Sequence, residues 1–192
     1  MITSAEIENH FATDAELLST GYRREVFLFR NLVVKRIFRG YKRAKNLNYH
    51  EWRNYKKISA KLPEELKINF QTVYQVLEAG GQTYLITEAI LDDNGKPSRS
   101  IEDFGPLRDR EFWERLEGVV SFLAEADLCL TDIHRKNVLV RKKERRLIPV
   151  IVDYKTMGRD FAPWQIELFF RVGRAGKMYR KYGRMKKEFM AV

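Results

Sequence analysis

The stretch Leu130-Thr131-Asp132-Ile133-His134-Arg135-Lys136-Asn137-Val138-Leu139-Val140, followed by Ile148-Pro149-Val150-Ile151-Val152-Asp153-Tyr154, decides how this chain is read. An aspartate, an asparagine five residues later, and a second aspartate ending the next apolar run are the elements of a kinase-like active site. Each has a physical reason. A carboxylate, Asp132, orients or accepts the proton of an attacking hydroxyl. An amide oxygen, Asn137, and a second carboxylate, Asp153, hold Mg²⁺ against phosphates. Magnesium prefers hard oxygen ligands and keeps water and phosphate in its remaining positions, so two protein donors suffice. Phosphoryl transfer depends on positioning and charge neutralisation more than on covalent help.

Working outward, Asn137 to Arg141 and Ile148 to Asp153 read as the strands of a hairpin around Lys142 to Arg146. Upstream, Asp109 to Leu128 reads as a long helix, with Phe112, Leu116, Val119, Val120 and Leu123 on one face and Asp109 as N-cap. Before it lies Asp92-Asp93-Asn94-Gly95-Lys96-Pro97, a polar turn-rich run taken as a lobe boundary. Glu25 to Arg30 and Leu32 to Phe38 are strands joined by Arg30-Asn31. Leu47 to Lys61 is a helix stopped by Pro63. Thr72 to Glu78 and Thr83 to Ile90 form a hairpin through Ala79-Gly80-Gly81-Gln82. Residues from about Pro163 read as helices.

The expected fold is therefore α+β, a minimal two-lobed protein-kinase-like fold. An antiparallel-sheet N-lobe with one helix (1–91) precedes a truncated, mainly helical C-lobe (92–192). In that frame Lys35, central in LVVKRIF, is the lysine that reaches nucleotide phosphates. Glu51, on the following helix, is the carboxylate that aims it. The phosphate-covering loop falls near Leu18 to Glu25 with a single glycine, Gly21, where such loops usually carry three. Leu130 stands where a histidine is usual, and Asp153 is followed by Tyr154-Lys155 instead of Phe-Gly. Asp103-Phe104-Gly105 spells the metal-binding tripeptide of kinases but precedes the catalytic loop, so it reads as a turn leading to Pro106.

Composition supports an ordered protein. The chain has 192 residues, 44% hydrophobic and 12% aromatic, which excludes wholesale disorder. Cys129 is the one cysteine, so no internal disulfide forms and a reducing compartment is expected. With no secretory signal and no apolar run near the roughly 20 residues of a bilayer span, the expected location is cytoplasmic, with peripheral contact at the inner membrane as an option.

The net charge of +10 points first to nucleic acid or an anionic surface. It is concentrated, however. Residues 32–61 hold ten Lys and Arg against one acidic residue, and residues 171–192 hold eight against one. No zinc spacing, RNP-like strand or helix-turn-helix accompanies the charge, so nucleic acid is an unlikely partner. In the C-terminal helix, Phe169, Phe170, Met178, Tyr182, Met185 and Phe189 make an apolar stripe within a basic surround. Such a helix either lies on anionic headgroups or packs on its own lobe.

On these residues the chain resembles the YrbL family, small bacterial proteins of the PhoP regulatory network with a protein-kinase-like fold. The resemblance runs from about Leu18 to Arg171. It is carried by Ser19-Thr20-Gly21, Lys35 in VVKRIFRG, Glu51 and Tyr55 in EWRNY, DNGKP (93–97) before IEDF (101–104), KNVL (136–139) and IPVIVD (148–153). The resemblance implies the kinase-like fold, kinase activity, and kinship with kinases of lipopolysaccharide core sugars. Some relatives lack the catalytic aspartate, which here is present as Asp132.

The expected function is an ATP- and Mg²⁺-dependent phosphotransferase acting on a small or glycolipid-type hydroxyl acceptor. Lys35, Glu51 and Asp132 would be catalytic. Lys35, Gly21, Asn137 and Asp153 would bind nucleotide, and Asn137 and Asp153 the metal. The alternative is a non-catalytic kinase-fold regulator that binds nucleotide or a partner; nucleic-acid binding comes third.

Overall fold

A computed structural model of the chain describes residues 2–21, 23–38, 47–155 and 171–190. The chain divides into two units. The first comprises Met1–Lys56 and Gln71–Ala89, the second Lys57–Phe70 and Ile90–Val192. The architecture is α+β, as the sequence implies. The division differs from the expected 91/92 boundary in its position and in assigning the segment Lys57–Phe70 to the second unit.

The first unit is an antiparallel five-stranded sheet in the order β1-β2-β3-β5-β4. Its strands are β1 (Glu16–Thr20), β2 (Arg24–Phe29), β3 (Leu32–Ile37), β4 (Val73–Ala79) and β5 (Gln82–Glu88). Arg30, at φ 56°, and Asn31 turn β2 into β3. Gly80 and Gly81, at φ 53° and 72°, turn β4 into β5. Two successive positive φ angles are what a tight two-residue hairpin requires, and glycine adopts them without steric cost.

Alternation along β3 sorts its side chains between the two faces of the sheet. Val34 and Arg36 share a face with Phe27, Tyr84 and Ile86, while Val33, Lys35 and Ile37 take the other. The first face is covered by α1 (Ser4–Asp14), whose Ile7 and Phe11 are buried. The Phe11 ring meets Phe27, Phe29 and Tyr84 edge-on, with centroids 4.9, 5.7 and 5.6 Å away, the geometry favoured by aromatic quadrupoles. Arg36 lies over the Phe27 ring at 4.9 Å and pairs with Glu25. The first unit thus carries a helix beyond the one expected. Its signal is a capping box: Thr3 Oγ1 accepts from Glu6 N, and Glu6 accepts from Thr3 N.

The first ten residues of α2 (Leu47–Ser59) belong to this unit and present Asn48 and Glu51 to Lys35, on the second face. In the other unit the 3-10 helix Glu64–Asn69 ends at Phe70, which bridges to Ile151.

The second unit is built on α4 (Arg110–Glu125). Asp109 caps it by accepting from Phe112 N, and Phe112, Trp113, Leu116, Val119, Val120 and Leu123 are fully buried. A three-stranded sheet is formed by β6 (Arg99–Ser100), β7 (Val138–Lys143) and β8 (Arg146–Ile151). The run 92–97 is part of this unit: Asp92 Oδ1 accepts from Lys142 N and Asp93 Oδ2 from Glu144 N, tying it to the β7–β8 turn. Asp103 and Phe104 end the short helix α3 (Ile101–Phe104), which Gly105 closes at φ 87°. This single helical turn stands where the sequence implies a simple turn.

Helix α5 (Arg171–Met190) packs Met178, Tyr182 and Met185 in the interior of the unit. The Tyr182 hydroxyl lies 3.1 Å from Trp113 O and 3.0 Å from Glu117 Oε2, and Lys186 pairs with Glu117. Arg174 forks onto Asp127 at 2.6 and 2.9 Å. The apolar stripe is therefore occupied, while Arg180, Arg184 and Lys187 are exposed. The expected Phe169 and Phe170 lie outside the described residues. No described helix is long and apolar enough to cross a membrane.

Candidate functional site

The candidate residues fall into two clusters, one in each unit. In the first, Lys35 Nζ donates to Glu51 Oε1 at 2.6 Å, with both residues almost fully buried at 5% and 2% exposure. Strand alternation aims Lys35 at α2, and Glu51 stands one turn along that helix from Asn48. The pair expected from sequence is thus in contact. Arg24, which the sequence reading passes over, joins it: its guanidinium donates to Glu51 Oε2 at 2.5 Å and to Asn48 Oδ1 at 3.3 Å. Fully buried Asn48 donates onward to Thr83 O at 2.9 Å and Lys35 O at 3.3 Å, stitching α2 to β3 and β5. The signal for Arg24 is cross-strand register: it faces Ile37 on β3, two residues from Lys35 and on the same face. Among the described residues, this cluster sets one carboxylate between two cations.

Gly21 ends the β1–β2 hairpin, and its N–H donates to Arg24 O at 2.8 Å. A Cβ there would meet that oxygen at 3.3 Å, so glycine permits the close approach. Leu18, Ser19 and Thr20, expected in a phosphate-covering loop, form β1 paired with β2.

In the second unit, Asp132 and Asn137 lie in the loop before β7, and Asp153 lies just after β8. The loop is held by its own backbone: Asn137 N donates to His134 O, Asn137 Nδ2 to Asp132 O at 3.1 Å, and Val152 N to Asn137 O at 3.0 Å. These bonds bring the three expected residues into one cluster.

Its centre is Lys155. The ammonium donates to Asp132 Oδ2 at 2.9 Å and Asp153 Oδ2 at 3.0 Å. Burial opposes its charge, but the two carboxylates outweigh burial, and the Lys155 pKa lies above its ordinary value. His134 is half-buried and moves the opposite way. Burial pushes its pKa down against the attraction of Asp132. Its Nδ1 accepts from Lys136 N. Cys129, one residue before the loop, is buried.

The donor chemistry fits a hard divalent ion in part. Asp153, Asn137 and Asp132 offer oxygen ligands, as Mg²⁺ prefers. Among the described residues, however, no three His, Cys, Asp or Glu side chains gather as a metal site. A bound Mg²⁺ would complete its shell with phosphate and water, and Lys155 already engages two of the oxygens. Compared with protein-family models and with curated proteins, the sequence matches none.

Proposed function

We propose that this chain is an ATP- and Mg²⁺-dependent phosphotransferase with a kinase-like fold, transferring phosphate to a hydroxyl acceptor. The observation that supports it most is the gathering of Asp132, Asn137 and Asp153 by one loop and one hairpin, in the order and chemistry phosphoryl transfer uses. The Lys35–Glu51 pair and the resemblance to the YrbL family point the same way. Lys35 holds the nucleotide phosphates and Glu51 fixes its direction. Asp132 takes the acceptor's proton once Lys155 has left it. Asn137, through its amide oxygen, and Asp153 hold the cation. Mg²⁺, when bound, neutralises phosphate charge. The acceptor of this reading is a sugar hydroxyl, including one on an anionic glycolipid. With the apolar stripe of α5 buried, peripheral attachment to an anionic membrane would be electrostatic, through Arg180, Arg184 and Lys187.

Thermal shift with ATP and Mg²⁺, paired with a phosphoryl-transfer assay on sugar and glycolipid acceptors, tests this. Binding and turnover are expected, with Asp132→Asn lowering turnover about 10²–10⁴-fold and Asp153→Ala abolishing the Mg²⁺-dependent shift. No nucleotide binding and no effect of Asp153→Ala would overturn the reading. A second reading, a non-catalytic nucleotide-binding regulator, is favoured by the engagement of both carboxylates by Lys155. Nucleotide binding without turnover on any acceptor supports it.

A further inference from the structure

Lys155 is placed by more than the attraction of its ammonium. Asp153 adopts φ 64°, a left-handed conformation that non-glycine residues rarely take, and turns the chain sharply after β8. Tyr154 then enters the core with no exposure. Its ring stacks on Phe70 at 6.3 Å and its hydroxyl donates to Ile151 O at 3.1 Å. The next residue is clamped by its backbone: Lys155 O accepts from Thr131 N at 2.6 Å and from Thr131 Oγ1 at 2.9 Å, and Lys155 N donates to Asp153 O at 3.1 Å. Thr131 adjoins Asp132. The buried tyrosine and the clamp thus fix the root of the Lys155 side chain between the two carboxylates.

The side chain beyond that root is less confined, being 47% exposed, so water reaches it while the backbone is held. Two carboxylates and one ammonium leave the trio one negative charge in surplus. Close by, Lys181 donates to Thr131 O. Asp132 and Asp153 separated by an ammonium are stable together; without it, they are like charges facing a shared space.

We propose that Lys155 is a tethered counter-ion of the cation site. Its ammonium occupies Asp132 and Asp153 in the resting chain, and a divalent cation binds only by displacing it. This inference rests on the metal-binding part of the function proposed above. It makes Lys155 a positioning residue: it holds the two carboxylates around one ammonium and lowers the site's affinity for a bare ion. The departure from Phe-Gly after Asp153 then has a consequence. A glycine at 155 could supply no such charge, whereas lysine offsets one of the two carboxylate charges.

The test titrates the full chain, without nucleotide, with Mn²⁺ as a paramagnetic oxygen-seeking probe, counting free ion by electron paramagnetic resonance. Wild type, Lys155→Arg, Lys155→Met and Lys155→Met/Asp153→Asn are compared, with circular dichroism confirming the fold of each. Lys155→Met is expected to bind Mn²⁺ about 10- to 100-fold more tightly than wild type, the range set by losing charge-assisted hydrogen bonds at a half-exposed site. Lys155→Arg should stay within about threefold of wild type, because it retains the charge. The double variant should lose the gain.

Equal Mn²⁺ affinity in wild type and Lys155→Met overturns the counter-ion role while leaving the metal site standing. A gain that survives Asp153→Asn overturns it by locating the ion elsewhere. Absence of binding in every variant overturns the inference together with the metal assignment. The expected gain in Lys155→Met, with no phosphoryl transfer by any variant, upholds the inference and removes the phosphotransferase reading alone.

Discussion

The polar clusters of the two units are opposites in charge. In the first, one carboxylate, Glu51, serves two cations, Lys35 and Arg24; in the second, one cation, Lys155, serves two carboxylates, Asp132 and Asp153. Among the described residues, the first is left with a positive surplus and the second with a negative one.

Burial separates them further. The side chains of Glu51, Lys35 and Arg24 are 2%, 7% and 12% exposed, whereas Lys155 is 47% exposed. Charges withdrawn from water depend on one another strongly, while charges at the surface are screened and individually weak. The first cluster therefore couples its members strongly, whereas in the second the ammonium of Lys155 is screened by water.

The largest expected effect follows from that difference. Glu51→Gln leaves Lys35 and Arg24 without their shared counter-charge, which costs about 3–5 kcal/mol for a buried pair broken on one side. The readout is loss of hydrogen-exchange protection at the β3 and β5 amides, which report the first unit alone. A loss below about 1 kcal/mol would mean that the cluster behaves like an exposed ion pair, and the contrast between the units would fail.

Next comes Asn48→Ala. Fully buried Asn48 accepts from Arg24 and donates to two backbone carbonyls, Thr83 O and Lys35 O. Its removal leaves buried groups unpaired, at about 1–3 kcal/mol, by the same readout. Lys155→Met should change the stability of the second unit by less than about 1 kcal/mol, and the change should shrink as salt rises to 1 M. The effect of Glu51→Gln should hardly respond to salt. Matching salt responses in the two variants would break the comparison.

Much of this contrast was legible in the sequence. The β-branched run LVVKRIF and the 3–4 residue spacing of Tyr49, Trp52, Tyr55 and Ile58 are local signals for a strand and a helix. Pairing Lys35 with Glu51 came from the kinase-like order of the residues, because Glu51 lies off that helix stripe, on the face that is buried with Asn48. The five-residue interval from Asp132 to Asn137, followed by a hairpin ending at Asp153, places those three residues together. Arg24 was not legible, because its role depends on cross-strand register, and register is set by pairing over distance. Lys155 escaped for a related reason. The sequence marks it as a departure from Phe-Gly, but its direction comes from the left-handed Asp153 and from the clamp to Thr131, 24 residues away. Helix α1 was missed although its capping box stands in Thr3 to Glu6. With Ile7 and Phe11 as its only buried residues, it has a thin apolar stripe. The C-terminal stripe was seen correctly as a helix face but has two physical uses, and only packing against α4 distinguishes them.

The smallest effect tests that packing through pH. The hydrogen bond from Lys186, then the one from Tyr182, hold the Glu117 carboxyl below its usual value of 4.5, against a small opposing effect of burial. A depressed folded-state pKa contributes stability above the unfolded value, which is lost as pH falls through the folded value. The window is therefore below pH 4.5, and acid should loosen α5 from α4 there. Because Glu117 is half exposed, the contribution is at most a few tenths of a kcal/mol. Glu117→Gln should remove this part of the acid dependence, measured as α5 amide exchange between pH 3 and 6, and raise neutral-pH exchange by the same small increment. An unchanged acid dependence in Glu117→Gln would show that other carboxylates, Asp127 beneath Arg174 first among them, govern how α5 is held.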